Sequence, residues 1–137
     1  MEKIYSKKNP KKILHIIVRY KKILGRNFIS NPSDILQVSP QKFNKLGKIC
    51  EPHIHLKKKH VLKNSITQEM WVIIKGKIKI RYYDTNKNYI CYKILKSGDC
   101  SLTLSGGHYF ENLQKNSVAY EIKSGPYNGR LIDKKEF

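Results

Sequence analysis

The chain has 137 residues and a formal net charge of +18 at neutral pH. That length suits one domain with a single hydrophobic core. No run of about 18 apolar residues is present, and the first residues lack the apolar segment of a signal peptide, which argues against a membrane span and against export. We therefore expect a cytoplasmic protein.

The positive charge comes mainly from lysine, since only four of the 28 basic residues are Arg. Proteins that read phosphates or bases favour the planar Arg fork, so nucleic acid is not the expected partner. The charge instead favours a solvated surface or an anionic small ligand. The three cysteines, Cys50, Cys91 and Cys100, have no Cys-x-x-Cys spacing and are typical of reduced thiols.

The N-terminal part of the chain predicts short strands. Residues 1–12 are polar and rich in Lys, which indicates a flexible basic lead-in. The spacing of apolar residues in Ile13–Tyr20 fits a helix or a strand, and their β-branched side chains favour a strand. After a loop, we expect a short strand at Ile35–Ser39 and a bent strand or strand pair at Lys42–Leu56.

The C-terminal part alternates more clearly. Ile78, Ile80 and Tyr82 alternate with Lys and Arg, as in a strand with one buried face. Strands are predicted at Glu69–Lys75, Lys77–Tyr83, Tyr89–Leu95, Cys100–Leu104, His108–Asn112 and Ser117–Lys123. The pattern predicts one all-β domain over residues 13–137, built as a small antiparallel β-barrel or jelly roll.

Four residues form a candidate metal site: His53, His55, Glu69 and His108. If Ile49–Leu56 is a strand, its two imidazoles leave the same face of the sheet. A third imidazole and a carboxylate complete a set suited to a divalent transition metal such as Mn, Fe, Co, Ni, Cu or Zn. Such a set leaves coordination positions open for a substrate.

The spacing of these residues resembles the two motifs of the cupin superfamily. Gly47 is followed by five residues and then His53-Ile54-His55, and Glu69 by six residues and then Gly76. Gly98, Gly106-Gly107, His108 and Asn112 are similar to the second motif. The resemblance covers residues 35–123 and implies a cupin barrel that uses these three histidines and Glu69 as metal ligands.

Two features depart from the cupin pattern. The segment between His55 and Glu69 is longer than the family's usual gap, and His60 within it is an alternative ligand to Glu69. The second motif also lacks the Pro that usually precedes its Gly.

The C-terminal sequences Gly106–Glu111 and Tyr120–Tyr127 are similar to small single-domain cupins that accompany surface-polysaccharide and sugar-nucleotide genes. This resemblance implies a sugar-like or anionic small-molecule ligand and a metal-assisted isomerase, epimerase or oxygenase. We also expect a homodimer. Three alternatives stay open: a non-catalytic sugar- or anion-binding module, a metal-independent isomerase or epimerase of keto-sugar nucleotides, and nucleic-acid binding through the Lys-rich surface, which the scarcity of Arg disfavours.

The metal-independent alternative needs a His base opposite a Tyr acid. His53 or His55 is the candidate base, and the candidate acids are Tyr82, Tyr83, Tyr92, Tyr109 and Tyr120. His15 is expected to face a polar neighbour in its strand. Trp71 is expected in the core or at the rim of the barrel, where an aromatic ring can carry a sugar.

Overall fold

Strands make up the regular structure of the computed structural model, which describes residues 1–25, 27–31, 33–44, 46, 52–55, 66–125 and 135–137. These residues form β1 (Glu2–Tyr5), β2 (Ile13–Val18), β3 (Glu69–Lys75), β4 (Lys77–Tyr83), β5 (Tyr89–Lys96), β6 (Cys100–Thr103), β7 (Gly107–Asn112) and β8 (Val118–Lys123). A short 3-10 turn, Tyr20–Lys22, follows β2. No helix among the described residues has the length and apolar character needed to cross a membrane.

The strands form two antiparallel sheets, which confirms the all-β antiparallel prediction. The larger sheet has the order β1-β2-β6-β3-β8, and the smaller has the order β5-β4-β7. Closure into a barrel is not found in the described part of the chain, because each sheet ends in two edge strands there. The architecture is a sandwich of two sheets.

The main core lies between the two sheets. The larger sheet contributes Ile4, Ile17 and Ile73, and the smaller contributes Ile78, Ile80, Tyr82 and Leu95. Along β4 these residues alternate with the more exposed Lys77, Lys79 and Arg81, as predicted. The alternation therefore identifies Ile78, Ile80 and Tyr82 as the interior-facing residues of β4.

A second core covers the outer face of the larger sheet. It contains Ile16, Val18, Cys100 and Leu102 from the strands, and Ile29 and Val38 from the segment before residue 44. Strand β2 is consequently buried on both faces, which explains its continuous apolar sequence and confirms the strand prediction there.

The strand predicted at Ile35–Ser39 is wrong. Residues 35–39 form bends and irregular chain instead. The N–H of Ile29 donates to the Val38 carbonyl at 3.0 Å, and the N–H of Leu36 donates to the Gln68 side chain at 2.9 Å. The apolar side chains of this segment pack over the face of the larger sheet, and within the described part of the chain the segment pairs with no strand.

The sequence predicts a flexible lead-in over residues 1–12. Within it, however, Glu2–Tyr5 form strand β1, which pairs with β2. Its partners lie in the next strand along the chain, and the prediction missed the pairing because β1 is short and mostly polar. The turn after β1 is fixed by Asp84, whose carboxylate accepts hydrogen bonds from the Ser6 hydroxyl at 2.8 Å and from the Lys7 N–H at 2.6 Å.

The strand predicted at Ile49–Leu56, within the longer prediction Lys42–Leu56, is wrong for Pro52–His55, which is exposed and has no strand structure. An exposed segment gains no burial that would hold it in a sheet. Residues 47–51 and 56–65, including His60 and Cys50, lie outside the described residues, as does the predicted tail loop beyond Gly125 up to residue 134. Cys91 and Cys100 are free thiols, as predicted.

Candidate functional site

Polar side chains gather at the side of the sandwich where β3 and β7 face each other. Glu69 and Trp71 on β3 alternate with outward residues and share the interior face with the buried Ile73. On β7, His108 and Phe110 pair across the sheet with Tyr82 and Ile80, which both point into the core. The two strands therefore aim Glu69 and His108 into the same gap.

Glu69 and His108 are in direct contact. Nε2 of His108 lies 3.0 Å from Oε1 of Glu69, with side-chain exposures of 18% and 5%. One residue comes from each sheet, so the contact exists only when the sandwich is assembled. Both were predicted as metal ligands from the sequence, and the fold brings this half of the predicted set together.

The carboxylate of Glu69 is held in its ionised form. Burial raises the pKa of Glu69, but hydrogen bonds from His108 and Trp71 outweigh burial and bring that pKa to about 2. The indole N–H of Trp71 donates to Oε1 at 2.5 Å, and the indole ring packs on Phe110 with ring centroids 4.4 Å apart. Trp71 thus lies half-buried beside the carboxylate.

Behind His108 lies a chain of hydrogen bonds that the sequence did not reveal. Nδ1 of His108 lies 3.0 Å from the Thr103 hydroxyl, which lies 3.1 Å from Nδ1 of His15. Nε2 of His15 lies 3.4 Å from the backbone carbonyl of Tyr83. Burial lowers the pKa of His15 to about 4, so its imidazole is neutral at pH 7.

The prediction that His15 faces a polar neighbour is confirmed by its contact with Thr103. The strand register explains why this neighbour is Thr103. On β6, Thr103 pairs with His15 of β2 on one side and with Glu69 of β3 on the other. A signal was present in the sequence: Ser101 and Thr103 are polar residues that alternate with apolar ones along β6. This alternation alone does not identify the partners of Ser101 and Thr103, because it does not give the order of the strands in the sheet.

His53 and His55 lie together at a different place in the chain. Their ring centroids are 5.1 Å apart, and both side chains are exposed on the irregular segment Pro52–His55. Among the described residues, no group of three or more His, Cys, Asp or Glu side chains is arranged to hold a metal ion. The described residues thus supply two pairs of predicted ligands, and the complete set of four stays a prediction.

The candidate tyrosines fall on different faces. Tyr109 is 51% exposed and packs against Arg81 on the outer face of the smaller sheet, opposite to His108. Tyr82 is the candidate that points into the interior, where its hydroxyl lies 2.9 Å from Ser101 and its ring contacts His15. Burial raises the pKa of Tyr82, which disfavours its anion.

Comparison with known proteins identifies no relative: no family model matches the sequence, and neither a curated protein nor a solved structure is similar to it. The chemistry of the site is therefore judged from its residues. A carboxylate and an imidazole nitrogen that face each other in a partly buried gap suit two tasks. They can share a metal ion, or they can pass a proton to and from a ligand.

Proposed function

We propose that this chain is a cupin-like metal-binding protein that holds a divalent transition-metal ion through Glu69 and His108, together with His53 and His55, and binds a carbohydrate-type ligand beside it. The observation that carries the proposal is the 3.0 Å contact between Glu69 and His108. Two residues chosen from sequence spacing as ligands of one ion meet in space, although they belong to different sheets.

The surroundings of the pair suit ligands of a metal. The ionised Glu69 offers oxygen ligands, and its hydrogen bond from Trp71 orients the carboxylate. The Nδ1 side of His108 is occupied by Thr103, so Nε2 is the nitrogen directed into the gap. Ligating histidines commonly bond through their second nitrogen to a neighbouring polar group, which fixes the ring.

His53 and His55 are the proposed source of the remaining ligands. Their imidazoles are already neighbours, and their exposed segment has no strand that would fix it elsewhere. A bound divalent ion would supply Lewis-acid polarisation of a carbonyl or of a pair of hydroxyls. Trp71 would lie beside a carbohydrate bound to this ion, because its ring lies next to Glu69.

The first experiment is elemental analysis of the purified protein, followed by melting curves after chelation and reloading. We expect one divalent ion per chain and a higher melting temperature with metal, because a ligand that binds the folded state stabilises it. Absence of stoichiometric metal, together with unchanged melting on addition of Mn, Fe, Ni or Zn, would contradict the metal site.

The carbohydrate part of the proposal has its own probe, since Trp71 is the single tryptophan of the sequence. Its fluorescence reports directly on the surroundings of Glu69. We expect a saturable fluorescence change with nucleotide-sugars and a much weaker response to the same nucleotides without the sugar. An equal response to both would indicate an anion-binding module, and no response to either would contradict a carbohydrate ligand at this site.

The metal-independent isomerase or epimerase is a second candidate because the imidazole and the carboxylate touch directly. A carboxylate and an imidazole in direct contact can pass a proton to and from a ligand that enters between them. In this version His108 takes the role that the sequence suggested for His53 or His55. Exchange of a substrate proton with solvent deuterium by metal-free protein would favour this candidate, and a requirement for added metal would contradict it.

A further inference from the structure

We infer that the outer face of the smaller sheet is a binding surface for single-stranded nucleic acid, whose bases stack on exposed tyrosines while lysine and arginine side chains contact its phosphates. This face lies on the opposite side of β4 and β7 from the gap between Glu69 and His108. The inference therefore goes beyond the proposed metal site and does not depend on it.

Four tyrosines of the described chain lie on this face. On β4 the outward positions alternate with the buried Ile80 and Tyr82, and residues that pair across neighbouring strands share a face of the sheet. By this register the four tyrosines are Tyr83 on β4, Tyr89 and Tyr92 on β5, and Tyr109 on β7. The last three are between 47% and 52% exposed, so their rings are accessible to a ligand.

Cations of β4 lie between these rings. Arg81 pairs with Tyr92 on one side and with Tyr109 on the other, and its guanidinium lies 5.3 Å from the centre of the Tyr109 ring. Nζ of Lys79 lies 5.1 Å from the centre of the Tyr92 ring. Two strand spacings, about 10 Å, separate the backbones of Tyr92 and Tyr109. Each ring can therefore carry its own base, with positive charge between them for the sugar-phosphate chain that links the bases.

The face as a whole carries an excess of positive charge. In addition to Lys79 and Arg81, Lys77 and Lys96 lie directly opposite each other on β4 and β5, where like charges repel. Glu111 is the one acidic residue of the three strands, and its carboxylate lies 3.4 Å from Lys79 and 3.1 Å from Arg81. A phosphate chain would neutralise the charge that this single carboxylate leaves.

The chemistry of the face favours a single strand over other occupants. In a duplex the faces of the bases are stacked on one another, whereas a single strand can place its bases on aromatic side chains. A neutral sugar chain could stack on Tyr92 and Tyr109 but would not neutralise the cations. In a symmetric dimer, a second copy of the chain would bring the same positive charges together, and this arrangement is unfavourable.

The small number of Arg residues in the sequence argues against specific reading of bases. Stacking on tyrosine is different, because every base has a π face and the contact tolerates any sequence. We therefore expect binding with little sequence preference. The affinity should fall as salt rises, because phosphate contacts release bound counterions.

The test is fluorescence anisotropy with labelled oligouridylate and oligothymidylate of about ten nucleotides, and with a duplex of the same length, titrated with the full chain at several salt concentrations. We expect saturable, salt-dependent binding of the single strands and weaker binding of the duplex. Binding of either oligomer supports the inference, and a preference for one shows whether the 2′-hydroxyl of RNA is recognised.

No binding of the oligomers, or an affinity for the duplex equal to that for the single strands, would overturn the inference. In the first case, titration with a neutral glucan and the molecular mass from light scattering would identify a sugar chain or a second copy of the chain as the occupant.

Tyrosine variants test the stacking contact. Tyr109→Ala should weaken single-strand binding by about 5–150-fold, the range for the loss of one stacked base. Tyr109→Phe keeps the ring and should bind as the wild-type protein does. Tyr120→Ala is the matched control, because Tyr120 is 62% exposed on β8 of the larger sheet. Equal affinities of the two alanine variants would contradict stacking on Tyr109.

A gain of affinity is a test that a loss of folding cannot imitate. Glu111→Gln removes the carboxylate that competes with phosphate for Lys79 and Arg81, and should tighten single-strand binding several-fold. Glu121→Gln is the matched control, because Glu121 is an exposed residue of β8 that pairs with Lys123, and it should change the affinity much less. Unchanged or weaker binding by Glu111→Gln would contradict phosphate contacts at these two cations.

Discussion

Nε2 of His108 lies 3.0 Å from the carboxylate of Glu69, in a gap between β3 of one sheet and β7 of the other. Both side chains are largely buried, and each has a second polar contact: Trp71 donates to Glu69, and the Thr103 hydroxyl lies beside Nδ1 of His108. The contact therefore links the two sheets at the side of the sandwich where the main core ends. The contribution of this contact to the free energy of unfolding can be measured without any bound ligand.

The first prediction concerns the mutual dependence of this pair. His108→Phe alone leaves the buried carboxylate of Glu69 without its imidazole, and should lower the free energy of unfolding by about 2–4 kcal/mol. Glu69→Leu alone should also destabilise the protein. The double variant replaces both polar groups by apolar ones, so it should be more stable than the sum of the single effects predicts, by about 1–3 kcal/mol.

Urea denaturation of the four proteins measures this coupling. A double variant whose loss of stability equals the sum of the two single losses, within about 0.5 kcal/mol, would show that the two side chains do not interact.

The second prediction follows from the pKa of His15, which burial lowers from 6.5 to about 4. Between these values the unfolded chain binds a proton at His15 and the folded protein does not, so stability rises with pH across this window. The contribution lost on going down from pH 6.5 to 4 is about 3 kcal/mol, from 1.36 kcal/mol per pKa unit.

Denaturation curves at a series of pH values compare the wild-type protein with His15→Gln, which has no titrating group. The difference in stability between the two proteins should change across the window from pH 6.5 to 4, and should be constant above it. Parallel pH profiles over that range would contradict the buried neutral state of His15.

The third prediction concerns Gly106. A methyl group there would face the Tyr83 carbonyl oxygen at 2.6 Å, in a backbone conformation with φ of +86° that side chains rarely adopt. Gly106→Ala should therefore destabilise the protein by roughly 2 kcal/mol or more. Gly25→Ala is the control, because a Cβ at residue 25 meets no atom within 4 Å among the described residues, its chain neighbours aside. Similar stabilities of the two variants in thermal unfolding would argue against a tight turn at Gly106.

The fourth prediction concerns Asp84, which ties the turn after β1 to the loop between β4 and β5. Burial raises the pKa of Asp84, but hydrogen bonds from Ser6, Thr85, Lys8 and Lys7 outweigh it and bring the pKa to about 2. This stabilisation is present above the usual pKa of 3.8 and is lost as the pH falls toward 2.

Asp84→Asn replaces one accepting oxygen by a donor and should lower the melting temperature at pH 7 by several degrees. The difference from wild type should shrink in acid. Asn86→Ala, an exposed change in the same loop, should have little effect. Equal melting temperatures for the two variants at pH 7 would contradict the structural role of Asp84.

Local patterns predicted the C-terminal strands, most clearly β4, in which buried and more exposed residues alternate. The alternation along Lys77–Tyr83 and the turn signals around it gave β4 with its observed bounds. Strand β1 was not predicted because Glu2–Tyr5 is short, polar and partly exposed. These residues form a strand by pairing with β2. The strand prediction at Ile35–Ser39 is wrong for the opposite reason, since the apolar residues of this segment cover a sheet without joining it.

The candidate site was predictable only in part. Spacing selected Glu69 and His108, and the fold brings them together. The hydrogen-bonded neighbours Thr103 and His15 depend on the strand order β2-β6-β3, which no local pattern contains. The assembly of His53 and His55 with the other pair, the homodimer and the cytoplasmic location stay predictions.

The most direct test of the proposed site is calorimetric titration of chelator-treated protein with Mn, Ni or Zn, using the wild-type chain, Glu69→Gln, His108→Gln and Glu111→Gln. Glu111 is the matched control, because it lies on the same strand as His108 but pairs with Lys79 and Arg81 on the outer face. We predict binding of one ion by the wild-type and Glu111→Gln proteins and a large loss of affinity in the other two. Equal affinity in all four proteins, or no binding by the wild-type protein, would contradict a metal site at Glu69 and His108.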